Sequence, residues 1–442
     1  MRDIVLTAFV FGSIPFIFRK PYIGVLMYVW LSVMNPHRLT WSFAHDFSFA
    51  AVIAVVTLIS TLLSKDLRPP PLNALTIALF LFVVWTGVTT ATSFYPAGAF
   101  TLWVNLIKTQ VMVFLIPILF RRLDHVRYLI WVIVLSIAYY GTKGGLFILL
   151  TGGGNRVYGP EGSYIEDNNA LAVAVVMVIP LMRYLQLTSP SKYVRWGLTA
   201  MMLLCGVAVI GSYSRGALLA VTAMLAFFWW KGRHKLQVLL VALVAVPLVL
   251  AFMPEIWYQR MDTIQNYEAD SSANMRLNAW QTMFNVARDR PIVGAGFEGG
   301  SVDVYERYSP DPEFPPQTAH SIYFQAMGEH GFVGLGFYLL LFAMFWRQAG
   351  SLVRATRGRP DFAWAYDFGL MMQVSIVGFM VGGAFLSLVN FDVPYYLIGA
   401  TVAMRLLLDQ ALRAAADAIN LPQAATPVLA LRTDPTLKPG SR

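Results

Sequence analysis

The residues best suited to chemistry in this sequence are one histidine and a few arginines in or beside its one long polar interval, residues 254 to 320. His320 closes that interval in PEFPPQTAHSIYFQAMGEHG, where the prolines end the polar stretch, Thr318 is placed to cap the following helix, and His320 falls in its first turn. The positive end of the helix dipole disfavours imidazolium and leaves a neutral ring able to accept a proton. The alternative is a structural histidine. Arg215, in GSYSRGA, borders the bilayer between two apolar runs, where its planar fork can hold phosphate oxygens of a lipid in bidentate fashion. It can equally serve as an interfacial anchor that snorkels. Arg276 lies in DSSANMRLNAWQTMFNVARDRP, which reads as one helix with Ser271 or Ser272 at its N-cap and a stop at Pro291. Leu277, Trp280, Phe284 and Ala287 form its apolar stripe, so the helix can lie against the membrane surface or the bundle. Arg276, on the flank of that stripe, faces either a lipid headgroup or a carboxylate partner.

Other polar features are less specific. The series GAGFEGGS, 294 to 301, matches neither nucleotide fingerprint and reads as tight loop packing. In GPEGSYIEDNN, Glu161, Glu166 and Asp167 suit either sugar hydroxyls or plain solvation. No clustered His or Cys set suggests a metal. Lys108, Lys143, Glu329 and His330 interrupt apolar runs and are functional suspects on that ground, although lysines at such positions also snorkel.

The elements that must position these residues are membrane helices. The chain has 442 residues, 57% hydrophobic and 13% charged, more apolar surface than a soluble core can hide. Its net charge of +9 is scattered in short clusters between apolar runs, which argues against a nucleic-acid partner. The single cysteine, Cys205, permits no internal disulfide. The N-terminus has a signal-like apolar core without a small-residue cleavage site, so it is expected to remain as a membrane segment.

Thirteen apolar runs can be marked, of which the first, Ile4 to Phe18, covers about 22 Å as a helix and is short of the ~30 Å hydrocarbon core. It is read as re-entrant. SKDLRPPP, RRLDHVR, SPSKYVR, KGRHK and RQAGSLVRATRGRP are basic and alternate with loops nearly free of positive charge. The 254 to 320 interval holds ten carboxylates, five arginines and no lysine. The positive-inside rule therefore puts the basic loops and both termini in the cytoplasm and the long loop in the periplasm. The expectation is an all-α polytopic membrane protein of about twelve transmembrane helices with one large periplasmic loop containing short helices. Its parts are an N-terminal bundle, 1 to 253; the loop, 254 to 320; C-terminal helices, 321 to 412; and a disordered cytoplasmic tail, 413 to 442.

GSYSRGA, then RLNAW with a glycine-rich stretch after it, then AHSIYFQAMGEHGFVGLG, in that order across a large outer loop, resemble the O-antigen ligase family of bacterial membrane glycosyltransferases. Relatives of that family include O-antigen polymerases and protein O-oligosaccharyltransferases, and GPEGSYIEDNNALA also looks like exosortase-associated ligase-like members. The resemblance implies a GT-C-like fold and transfer of a glycan from undecaprenyl pyrophosphate to a hydroxyl of the lipid A core oligosaccharide at the periplasmic face of the inner membrane. It implies an inverting reaction that needs no metal and no cofactor. The family's essential histidine carries over to His320 and its essential arginines to Arg215 and Arg276, with Arg288 a further candidate for the pyrophosphate. A polymerase is the nearest alternative. A polysaccharide transporter would instead show repeated halves with broken helices near the midplane, and no internal repeat is visible.

Overall fold

The computed structural model describes residues 1–64, 69–231 and 271–420, with Leu236, Leu240, Leu243, Glu255, Trp257 and Tyr258 between. Every regular element among them is helical: α1 Arg2–Arg19, α2 Tyr22–Met34, α3 Phe49–Leu63, α4 Ala74–Ala91, α5 Pro96–Leu119, α6 Leu123–Thr151, α7 Asn168–Thr188, α8 Lys192–Ile210, α9 Arg215–Lys231, α10 Ser271–Asp289, α11 Val302–Tyr308, α12 Ile322–Thr356, α13 Ala363–Gly382 and α14 Asp392–Asn420. Seven of these stretches are long and apolar enough to cross a membrane, and Tyr22–Met34 and Phe49–Leu63 are shorter apolar helices. This is a multi-pass membrane protein. The apolar run at 236 to 253, apart from Leu236, Leu240 and Leu243, and the N-cap of α10 lie outside the described residues.

Local chemistry sets several boundaries. Asn73 and Thr76 form a reciprocal capping box at the start of α4. Asp167 Oδ1 accepts from the amides of Asn169 and Ala170 and so starts α7. Where α6 passes α8, a Cβ on Gly145 would stand 2.0 Å from the Leu204 carbonyl oxygen, so the two backbones meet at a contact that only glycine permits.

Two expectations need correction here. The first apolar run is not re-entrant. It is an 18-residue helix, about 27 Å long. Arg2 donates to the Leu39 carbonyl at 3.2 Å, and Asp3 Oδ1 accepts from the amides of Ser42 and Ala44, so α1 begins at the end of the bundle where α2 finishes. Gly162, in the loop after α6, packs against Arg38 at that same end. At the opposite end Arg405, well along α14, donates to Ser351 late in α12. The N-terminus and the end of α14 therefore lie at opposite ends of the bundle, because α1 runs along it from one end toward the other. The second correction concerns the tail: α14 continues to Asn420, seven residues beyond Arg413.

α12 is broken inside the bundle. Gly331 has φ 71 and ψ −179, and the chain turns there before helix resumes. The carbonyls of Gly328 and Glu329 accept instead from the amides of Ala295 and Gly296, both at 2.8 Å, and the Phe332 amide donates to Pro291 at 2.8 Å. The glycine series is thus a packing loop. Gly294 and Gly296, with φ 63 and 79, let it press against the break. α10 lies on the same helix through Ala279, Thr282, Met283, Val286 and Ala287. That face is rotated from the expected stripe: Ala287 is shared, but Leu277 and Phe284 are exposed and Trp280 is half-buried, stacked on Phe324 at 5.1 Å.

A Cβ at position 331 would fall 2.2 Å from the Ile292 carbonyl oxygen, whereas one at Gly336 on the same helix meets nothing within 4 Å. Gly331→Ala should cost about 3 kcal/mol or more, from backbone strain and the displaced loop. Gly336→Ala should be neutral or mildly stabilising. Thermal melts of the purified variants in one detergent check this, and equal midpoints would show that the break is not held as described.

Candidate active site

Arg215 is the first residue of α9, and the turn before it is fixed from several sides. Ser214 Oγ accepts from the Ala217 amide and caps the helix. Tyr213, left-handed at φ 60, donates its hydroxyl to the Gly153 carbonyl at 2.5 Å, and Asn168 Nδ2 donates to the Ser212 carbonyl at 2.6 Å. The loop after α6 and the start of α7 thereby hold the turn that carries Arg215.

Arg276, half-buried near the start of α10, faces the same cleft as Arg215. Asn169, Tyr213, Ser214, Gly216, Phe385 and Leu386 complete its described lining. Two guanidinium groups thus line one cleft, and their planar forks have the geometry for bidentate bonds to phosphate oxygens. Below it runs an apolar groove of about 550 Å³ lined by Leu219, Thr222, Ala223 and Ala226 of α9 together with Tyr323, Met380, Val381, Ala384 and Phe385. Phe385 belongs to both cleft and groove. Residues 219, 222, 223 and 226 share the helical face of Arg215, so the groove leads away from its charge.

His320 is not among the residues that line this cleft, and it is held beside it by a route the sequence pattern does not anticipate. It is not in the first turn of α12, and Thr318 does not cap that helix: α12 starts at Ile322, with Ser321 at the N-cap. His320 stands two residues earlier in a left-handed conformation, φ 44, and its amide donates to Ser387 Oγ at 2.8 Å. Leu386, the neighbour of Ser387, lines the cleft. The imidazole is half-buried, and its pKa is lowered from the ordinary histidine value, first by burial and then by the positive charge of Arg276, with Asp167 opposing. A neutral ring was expected; burial and a neighbouring cation, not a helix dipole, account for it.

Arg288 does not join this group. It is exposed, twelve residues further along α10, about 18 Å away along the axis. Glu329 and His330 are buried beneath the glycine loop instead. Gln325 Nε2 donates to both Glu329 carboxylate oxygens at 3.2 and 3.4 Å, Gln325 Oε1 accepts from the Val389 amide, and His330 Nδ1 pairs with Thr89 Oγ1 at 2.7 Å. Lys108 and Lys143 are exposed. Glu166 accepts from Gly162 within its own loop. Among the described residues no three His, Cys, Asp or Glu side chains gather as a metal site would require.

Sequence reasoning missed Asn169 and Ser387. Asn169 ends the segment GPEGSYIEDNN itself, two residues from Asp167, so proximity to those carboxylates is a usable signal. Ser387 lies 67 residues from its partner and carried none.

Residues 200–339 match the family model described as O-Antigen ligase, a span that holds Arg215, Arg276 and His320. That match, over about a third of the chain, supports kinship with the O-antigen ligase/polymerase superfamily. The members of this ligase family are glycosyltransferase-like enzymes. Residues 1–189 match a second model, described as a family of unknown function, DUF5935. No curated protein matches the chain. The ligase-family match therefore covers Arg215, Arg276, the polar interval and α12 as far as residue 339, while Asp167, Asn169, Phe385, Leu386 and Ser387 come from outside it.

The two charges acting on His320 give opposite signs for pH dependence. A base that works neutral loses activity as pH falls through its pKa, so a lowered pKa keeps it working in more acidic medium. Arg276→Gln removes the cation that opposes protonation and should move the acid limb of the rate profile to higher pH. Asp167→Asn, which keeps the N-cap oxygen, should move it lower. Profiles of kcat/KM against pH for the two variants would decide this; shifts in the same direction, or none, would detach His320 from the limb.

Proposed function

We propose that this protein is an O-antigen ligase that transfers a glycan from undecaprenyl pyrophosphate to a hydroxyl of the lipid A core oligosaccharide, with inversion and without a metal. The observation that carries this reading is the convergence of Arg215 and Arg276 at the head of an apolar groove, with His320 held beside them through Ser387. An anionic head on an apolar tail fits that arrangement. His320 takes the proton of the acceptor hydroxyl as its oxygen bonds to the anomeric carbon, and the bond from that carbon to the pyrophosphate oxygen breaks. The electron pair leaves on the pyrophosphate, where Arg215 and Arg276 stabilise the growing charge. The proton passes from the imidazolium to solvent.

The same reading puts residues 254–320 and the cleft on the periplasmic side of the inner membrane. Arginines and lysines at the ends of α1, α5, α9 and α12 then face the cytoplasm, as the positive-inside rule requires. Cysteines introduced at the exposed positions Glu306 and Arg357, in a Cys205→Ala background, should differ in labelling by an impermeant maleimide on cells with a permeabilised outer membrane. Stronger labelling at 357 would invert the orientation.

The decisive assay combines purified protein, lipid-linked glycan and rough lipopolysaccharide, with EDTA present. General-base help typically supplies ~10² to 10⁴-fold, so His320→Ala and His320→Gln should both slow transfer by about that much while donor binding persists. Arg215→Lys keeps charge but loses the fork and should cost at least about tenfold, on the order of 1.4 kcal/mol. A fast His320→Gln enzyme, or wild-type activity abolished by EDTA, would rule the mechanism out. Product in which glycan is added to a second lipid-linked glycan, and none to lipopolysaccharide, would identify a polymerase.

A further inference from the structure

A second groove shares no lining residue with the arginine cleft and lies on the outer surface of α6 between α2 and α8. It has a volume of about 650 Å³, and Val132, Leu135, Ser136, Tyr139, Thr142, Lys143 and Leu146 form its floor at helical spacing. Trp30 and Met34 of α2 form one wall and Met201 of α8 the other. Packing explains why this face is open: α6 meets α8 through Gly141 and Gly145, which point away from the groove toward Cys205 and Leu204. The groove is apolar apart from the hydroxyls of Ser136, Tyr139 and Thr142 and one cation, Lys143, which is exposed and makes no hydrogen bond or ion pair with any described residue.

The position of that cation selects its counter-ion. The first turns of α6 still carry Asp124, His125 and Arg127, so its apolar stretch begins after Arg127, and Lys143 is sixteen residues further, about 24 Å along the helix. The remaining few ångströms of a ~30 Å hydrocarbon core are within the reach of a snorkelling lysine, which brings the ammonium level with lipid phosphates at the opposite boundary. From Lys143 down to Val132 the groove runs about 16 Å, roughly half the hydrocarbon core and thus the reach of one leaflet's acyl chain. Trp30 and Tyr139 supply the amphipathic rings common near such a boundary.

We propose that this groove binds one anionic glycerophospholipid of the leaflet on the side of the arginine cleft, its phosphate paired with Lys143 and one acyl chain lying along α6. A zwitterionic lipid brings its own ammonium and gains less from the lysine. The site is independent of the transfer reaction and stands whether or not that reading survives.

Native mass spectrometry of the delipidated full chain, titrated with phosphatidylglycerol and separately with phosphatidylcholine, tests it. Wild type should retain one phosphatidylglycerol molecule in preference to phosphatidylcholine, and Lys143→Gln should weaken that binding about fivefold, the order expected for one basic residue at a membrane surface. Lys143→Arg should keep it. Leu135→Trp, at an exposed position on the groove floor, should weaken it without touching the charge. Lys108→Gln, which removes an exposed lysine bonded to Asn105 on α5, should leave it unchanged. Equal retention of the two lipids by wild type, undiminished binding by Lys143→Gln, or undiminished binding by Leu135→Trp would each overturn the proposal.

Discussion

The break in α12 at Gly331 is the constraint on which the outer part of this protein depends. Backbone amides and carbonyls at membrane depth must find partners within the protein, because hydrocarbon offers none. Here the carbonyls of Gly328 and Glu329 and the amide of Phe332 are matched by the segment from Pro291 to Gly296, so that segment cannot lift away without exposing unpaired groups. α10 ends just before it, and the chain that returns to His320 starts just after. Ala295 also accepts from the Phe94 amide and the Ser93 hydroxyl, tying the start of α5 to the same point. Arg290, over the Phe94 ring and bonded to the Thr92 carbonyl, closes the joint from the other side. A polar interval that reads as one large loop with short helices is thereby anchored into the bundle at its middle.

Side-chain chemistry was the legible part of the site. Arginines near an apolar boundary and a histidine at the end of a polar stretch announce themselves by type, and the fold brings Arg215, Arg276 and His320 together. Arg288 shares their type but not their place, because residue type says nothing about where twelve further positions along a helix will lead. The stripe on α10 failed for a related reason: Ala279, Met283 and Val286 are as apolar as Leu277, Trp280 and Phe284, so periodicity shows that a face exists without choosing between two adjacent ones. α1 was misjudged because a short run was measured against hydrocarbon thickness alone, while its ends are held by Arg2 and Asp3, polar residues outside the run. Ser387 and the Gln325 contact with Val389 are tertiary pairings and left no trace in local pattern.

Arg276 has two roles that bear on one another. On the proposed reading it holds the pyrophosphate, and it also depresses the basicity of His320. An anion seated on the guanidinium offsets its charge, so the imidazole becomes a stronger base once the donor is in place. Linkage makes the effect reciprocal: a protonated His320 favours the anion more than a neutral one does.

On that reading the coupling acts as an interlock with no moving part. Before the donor arrives, the guanidinium that would receive it adds to burial in keeping the base weak. After transfer, the proton on the imidazole and the charge on the departing pyrophosphate would hold one another, so release of the spent carrier and resetting of the base would become a single event. The timing of a turnover would then be written into the placement of one arginine and one histidine, which the Ser387 tether to His320 and the seating of α10 on α12 help to fix.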